Sequence, residues 1–361
     1  MQDKVKKITK IMERLAVDYL LLGPSTNFYY LTGLHLFDDE RLQLLILDQE
    51  GNLSLIVPEM YRTMLEENLI SSANPCYWSD EEDPAEIVVD QLGEARGRLA
   101  IDDDLRYLHF SQLGELLTSC ECIKASRIMS QLRIIKHERE LANLIQAAEI
   151  ADRVGEEMEG YLEPGLSESQ VSIEMENRLK EYSREGVAFS PLVAAGANSA
   201  SPHHISGDYI LQEGDFVSLD FGCTINGYSS DMTRTYSLGE PTEEMELVYN
   251  TVREAQEAAI QSVVPGVKCS EVDAAARNHI AENGYGDYFI HRTGHGIGLD
   301  YHEEPYIVFN NHLPLKPGMV FTIEPGIYLP GKYGVRIEDV VAVTAEGVKV
   351  LNMFTKELII I

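Results

Sequence analysis

Two stretches of this chain place an acid where the neighbouring residues favour none. In VSLDFG (217–222) and FTIEPG (321–326), Asp220 and Glu324 sit on the most apolar part of a β-rich run. An ionised carboxylate taken out of water costs several kcal/mol or more unless it is paired or coordinated. The two runs also match each other. Gly214 and Gly318 precede the acids by six positions, and Gly222 and Gly326 follow them by two. A second acid comes 11 residues after Asp220, at Asp231, and 14 after Glu324, at Glu338, across the glycine-containing turns INGY and PGKYG. Two copies of an acid-bearing β-hairpin are predicted. Arg234 and Arg336 stand near the acids, so an ion pair would explain any one of them alone. Four acids in two matched hairpins point instead to a shared cation.

The fifth candidate lies in HRTGHGIGLDYHEEP (291–305), where His291, His295 and His302 are separated by glycines that permit close backbone approach. Four carboxylates and the His295 imidazole make an oxygen-rich, hard donor set with charge enough for two divalent ions. Mn2+ suits it first, then Co2+ or Zn2+. Bridging carboxylates would hold a hydroxide between the ions, a nucleophile at neutral pH, while the ions polarise a carbonyl and stabilise its oxyanion. His302, and one of the adjacent pair His203 and His204, could donate to the tetrahedral intermediate or move protons to the leaving group. Spacing alone does not separate His203 from His204.

These residues need a framework. The first third alternates an amphipathic helix with Val5, Ile8, Met12 and Leu15 on one face and strand-like runs YLLLG, LQLLILD, LSLIVP and RLAID, which predicts an α/β module. A long charged helix between Arg127 and Gly160 then ends at Pro164-Gly165, and the domain boundary is placed near residue 125. The remainder mixes helices, SESQVSIEMENRLKEYSREG and 242–264 among them, with glycine-bounded strands, an α+β order.

Bulk properties narrow the function classes. A length of 361 residues favours two domains. The 59 acidic against 29 basic residues give a net charge of -30, which repels phosphate backbones and anionic membranes, so neither nucleic acid nor a membrane is an expected partner. Five scattered cysteines without a C-x-x-C pair read as reduced structural thiols. No run approaches bilayer-spanning length and the N-terminus lacks a continuous apolar signal core, so the cytoplasm is the expected compartment.

The strings PHH, LDFGCTINGYSSDMTRT, HRTGHGIGLDYHEEP, GMVFTIEPGIY and GVRIEDVVAV together resemble the pita-bread metallopeptidases, specifically the aminopeptidase P and prolidase branch. The resemblance implies a creatinase-like α/β domain over 1–125 and a pita-bread (creatinase/aminopeptidase-like) α+β catalytic domain over 126–361. It implies that Asp220, Asp231, His295, Glu324 and Glu338 are the metal ligands, with Asp231 and the two glutamates touching or bridging the ions. By its distance of 17 residues to Asp220, His203 rather than His204 falls on the first active-site histidine of the family, and His302 on the second. Glu324 matches the general base, and Arg336 an arginine supporting the site beside Glu338.

NFYYLTGL resembles part of the amino-terminal domain, which methionine aminopeptidases generally lack, and creatinases do not keep the five ligands. In relatives that domain takes part in dimer formation, so a homodimer is expected. The segment His35 to Arg41 resembles a loop that reaches a neighbouring active site. Substrate contacts are expected from His291, Tyr306 and Arg41. Several prolidases carry an arginine immediately after H-E-x-P to hold a dipeptide's carboxylate, and this chain has Tyr306 there. That departure ranks a dinuclear Xaa-Pro aminopeptidase, acting on proline-containing peptides of three or more residues, ahead of an Xaa-Pro dipeptidase. A catalytically silent peptide-binding module ranks third.

Overall fold

The structure, a computed structural model, describes residues 1–68, 73–93, 97–117 and 120–361. Its contacts divide the chain into two units, Met1–Arg133 and Ile134–Ile361. The boundary expected near residue 125 falls just ahead of the helix Ser126–Arg133, which packs with the helix Gln2–Leu15 inside the first unit. Among the described residues no helix is long and apolar enough to cross a membrane.

The first unit is built on six strands: β1 (Tyr19–Leu22), β2 (Leu44–Asp48), β3 (Leu53–Pro58), β4 (Ala73–Trp78), β5 (Arg98–Ile101) and β6 (Glu121–Lys124). They lie in the order β4-β3-β2-β1-β5-β6. The pairs β1–β2 and β2–β3 are antiparallel and the rest parallel. Central strands as apolar as YLLL and LLILD suit a sheet covered on both faces. The opening helix buries Val5, Ile8 and Met12, the stripe that its helical spacing predicts. Two edge strands escape the sequence pattern. β4 carries Pro75, which an edge tolerates because one side of the strand needs no ladder bond, and β6 is mostly exposed.

The second unit repeats one plan twice. Its strands are β7 (Leu192–Ala195), β8 (Phe216–Phe221), β9 (Thr224–Ile225), β10 (Tyr228–Ser229), β11 (Met232–Ser237), β12 (Gly294–Gly296), β13 (Glu303–Ile307), β14 (Val320–Ile323), β15 (Gly326–Leu329), β16 (Tyr333–Arg336), β17 (Asp339–Val343), β18 (Val348–Val350) and β19 (Ile359–Ile360). One sheet runs β19-β11-β8-β7 and another β13-β12-β14-β17-β18. The helices Glu138–Glu159 and Glu168–Ser183 send Ala147, Ala151, Val154, Val171 and Met175 into one core with Val217, Leu219 and Met232. The helices Glu243–Ser262 and Cys269–Glu282 send Val248, Val252, Ala255, Val272 and Ala276 into a second core with Phe321, Ile323 and Val341. Each buried aliphatic side chain of Val or Leu size contributes about 1.5–3 kcal/mol. Both acid-bearing hairpins are therefore backed by two helices, which hold their strands rigid.

Candidate metal centre

Both predicted hairpins form. β8 pairs β11 antiparallel with Asp220 opposite Thr233, and Asp231 stands immediately before β11. β14 pairs β17 with Ile323 opposite Asp339, so Glu324 leaves one strand as Glu338 enters the other. In each case the chain between the acids makes a small second hairpin, β9–β10 or β15–β16, which accounts for the 11- and 14-residue separations. The hairpins meet edge to edge. Glu338 N donates to Thr233 O at 3.1 Å, Arg336 N donates to Thr235 Oγ1 at 3.2 Å, and Thr235 Oγ1 donates to Arg336 O at 3.0 Å. All four acids thus converge on one place.

His295 arrives on the three-residue strand β12, paired to β14. A Cβ on Gly294 would stand 1.9 Å from Thr322 O, and one on Gly296 would stand 2.3 Å from the Glu304 carbonyl, so only glycine flanks this histidine without displacing backbone. His295 Nδ1 faces its neighbour's carbonyl, Gly296 O, at 3.1 Å. A carbonyl only accepts, so Nδ1 carries the hydrogen and Nε2 keeps its lone pair. Nε2 lies 3.6 Å from Asp231 Oδ2 and 3.4 Å from Glu324 Oε1. One ligand atom each from Asp231, His295 and Glu338 lies within 4.8 Å of the others.

A pair of cations fits this arrangement on four counts. Asp220 Oδ1, Asp231 Oδ1 and Glu338 Oε1 are buried with no hydrogen-bond partner among the described residues, an expensive state that coordination removes. Burial, and then mutual repulsion, raise Asp231 and Glu338 well above the carboxylate range, while burial pushes Glu324 to about 7. Burial also lowers His295 well below the usual imidazole range, keeping it neutral and ready to bind metal. Two guanidiniums, Arg336 and Arg292, line the same cavity among the described residues, and two positive charges do not answer four carboxylates.

The arginines do not pair as sequence proximity suggests. Arg336 reaches across to Asp220 at 2.5 Å rather than to nearby Glu338, and also donates to Thr233 Oγ1 and Tyr328 OH. Arg234 turns away from Asp231 to Asp339 at 2.7 Å. Neither neighbouring arginine neutralises Asp231 or Glu338, which leaves both for a metal. Thr233 Oγ1 donates to Glu338 Oε2 at 2.7 Å and orients it.

A cavity of about 390 Å3 opens over the cluster, lined by the five candidate ligands together with His203, His291, His302, Arg292 and Arg336. His302 stands edge-on to His295 with ring centres 4.1 Å apart, and burial lowers it to about 4, so it is a neutral imidazole near pH 7. His291 is held by Tyr328 OH at 2.8 Å. His204 points elsewhere, to Glu168 at 2.7 Å. Tyr306 is not among the lining residues; its ring lies under the Arg292 guanidinium at 4.7 Å. Arg41 belongs to the first unit, where it binds Asp80 at 3.0 Å and Glu40 at 2.7 Å. Arg292, Thr233 and Tyr328 were missed by sequence reasoning although each lies inside a motif string; their only signal was a place within four positions of a candidate ligand.

The metallopeptidase family M24 model matches residues 142–345, and the creatinase/prolidase N-terminal domain model matches residues 4–135. This chain belongs to metallopeptidase family M24. Its relatives match it along nearly its whole length. A probable dipeptidase PepE of Mycobacterium bovis is 40% identical over 345 residues, covering 95% of this chain and 92% of that protein. The crystal structure of a recombinant prolidase from Thermococcus sibiricus superposes with a TM-score of 0.96 at 41% identity, covering 100% of this chain and 99% of the other. An X-Pro aminopeptidase from Thermotoga maritima superposes with a TM-score of 0.85 at 29% identity, with 99% of both chains covered. The expected two-part fold, a creatinase-type domain followed by a pita-bread catalytic domain, is the fold of this M24 chain.

Proposed function

We propose that the chain is an Xaa-Pro dipeptidase, with Asp220, Asp231, His295, Glu324 and Glu338 holding two divalent ions. The hard ligand set makes manganese the first candidate, ahead of cobalt and zinc. When bound, the ions would activate water and polarise the scissile carbonyl. The chain's own residues supply the rest. Glu324, whose Oε1 lies 3.4 Å from His295 Nε2 in the cavity, is placed to take a proton from the reacting groups. His302 and His203 face the same cavity as hydrogen-bond partners for the reacting peptide, and Arg336 fixes Asp220.

The ranking of substrates reverses the expectation drawn from Tyr306, and Arg292 carries the reversal. An enzyme restricted to dipeptides needs a cation for the substrate's free carboxylate. Arg292 lines the cavity and forms no ion pair among the described residues, and Tyr306 braces its guanidinium. Tyr306 therefore does not leave the carboxylate unanswered. The relatives at about 40% identity are a dipeptidase and a prolidase, whereas the aminopeptidase stands at 29%. Comparing hydrolysis of Ala-Pro with Ala-Pro-Ala under added Mn2+ tests the choice: the dipeptide should be cut and the tripeptide hardly at all. Preference for the tripeptide would restore the aminopeptidase reading.

Two variants extend the test. Arg292→Ala should lower kcat/KM for Ala-Pro roughly 10- to 100-fold, the range of a charge-assisted hydrogen bond, while leaving the slow hydrolysis of Ala-Pro amide nearly unchanged. A variant that still prefers the free acid would remove Arg292 from this role. His302→Ala should bind metal as the parent does and lose about 10²- to 10⁴-fold in kcat, measured by steady-state kinetics beside metal analysis.

A further inference from the structure

One of the fully buried acids that the mechanism does not use lies beside the loop that carries His203. Glu168, at the start of the helix Glu168–Ser183, has no exposed surface, and both its oxygens are taken. Oε1 accepts from Ala195 N at 2.9 Å and Asn198 Nδ2 at 3.0 Å. Oε2 accepts from Gly207 N at 3.1 Å and contacts His204 Nε2 at 2.7 Å. A carboxylate that accepts on every side is an acceptor only, so His204 Nε2 carries the hydrogen. All four partners lie on one stretch, Ala195 to Gly207, which leaves β7 through a short 3-10 turn at Gly196–Ala200.

The same stretch carries His203. Its far side is tied to the second hairpin: Gly334 N donates to Ser199 Oγ at 2.8 Å, and Arg336 Nη1 donates to Pro202 O at 3.3 Å. The loop is thus clamped between Glu168 and the β16 strand that ends in Arg336. His203 projects between the clamps as an exposed side chain facing the cavity, while its neighbour His204 is spent on Glu168. The adjacent histidines have divided labour, one toward the site and one toward its support.

We propose that Glu168, through His204 and the 195–207 backbone, is a positioning residue that sets His203 over the metal centre. This rests on the proposed role of His203. Glu168→Gln replaces one acceptor oxygen with an NH2 group that faces N–H donors, so the clamp opens on one side without a change of shape.

Three readouts on the metal-loaded protein test it. Hydrogen exchange in Glu168→Gln should rise across 196–207 and stay at parental levels over the metal-ligand strands. Its kcat for Ala-Pro should fall roughly 10- to 100-fold with KM nearly constant, as expected when a reacting group shifts by about an ångström. In a His203→Ala background the same substitution should cost less than about twofold more, because the two act as one unit. Unchanged exchange over 196–207 overturns the inference, and so does an equal loss of rate in both backgrounds. Should Glu168→Gln fail to fold, His204→Ala removes only one of the four donors and is judged by the same readouts. Parental turnover in His203→Ala alone would instead overturn the role given to His203, and the exchange result would then decide the clamp by itself.

Discussion

Asp231→Ala and Glu338→Ala are each expected to lose bound metal and to reduce Xaa-Pro hydrolysis by roughly 10³-fold or more, the several kcal/mol that a Lewis-acid metal supplies. Both side chains are buried, and each keeps an oxygen with no protein partner. Neither acid is spent on an ion pair with a neighbouring arginine, because Arg336 is committed to Asp220 and Arg234 to Asp339. The fold should survive. Removing one of several crowded like charges relieves repulsion in the metal-free protein, and the hairpins remain joined by the backbone bond to Thr233 O and the bonds of the Thr235 hydroxyl to Arg336. Metal analysis, circular dichroism and kinetics on each variant check this. Parental turnover in either one would remove that residue from the centre.

Metal affinity should rise steeply with pH between about 5 and 7, by as much as tenfold per pH unit for every proton released on binding. The sign follows from the direction of the shifts. Glu324 moves from an ordinary 4.5 to about 7, so the metal-free folded protein holds this proton over a range where the unfolded chain has lost it. Stability of the metal-free protein therefore falls as pH rises past 4.5, and the loss is complete above about 7. At roughly 1.4 kcal/mol per pKa unit, this one group accounts for about 3 kcal/mol. Asp231 and Glu338 shift in the same direction. His295 is already neutral and adds no competing proton. Melting temperatures with chelator and with Mn2+, taken across this range, should diverge as pH rises. Parallel curves would mean that the acids do not bind metal.

The acid hairpins were legible because they break a rule that apolar strands otherwise keep, and they break it twice with the same spacing. The long helices and central strands were legible for a similar reason, since Val5, Ile8 and Met12 or the run LLILD declare their period within one segment. What escaped depends on separation along the chain. Arg336 lies two residues from Glu338 yet pairs with Asp220, 116 positions away, because the two hairpins meet edge to edge. Arg234 likewise finds Asp339, 105 positions away. Sequence neighbours suggested the opposite pairings. Spacing alone could not choose between His203 and His204, and the resemblance to known peptidases favoured the former; the bond from His204 to buried Glu168 supplies a physical reason. In the sequence Tyr306 stands where several prolidases carry an arginine, whereas in three dimensions its ring braces an arginine fourteen positions earlier.

The most direct test is a titration of metal-free protein with Mn2+, following bound ion and Ala-Pro hydrolysis together. Hydrolysis should be absent without metal and should reach its plateau as about two equivalents bind. Full turnover by the metal-free protein, or none with two equivalents bound, would contradict a dinuclear Xaa-Pro dipeptidase.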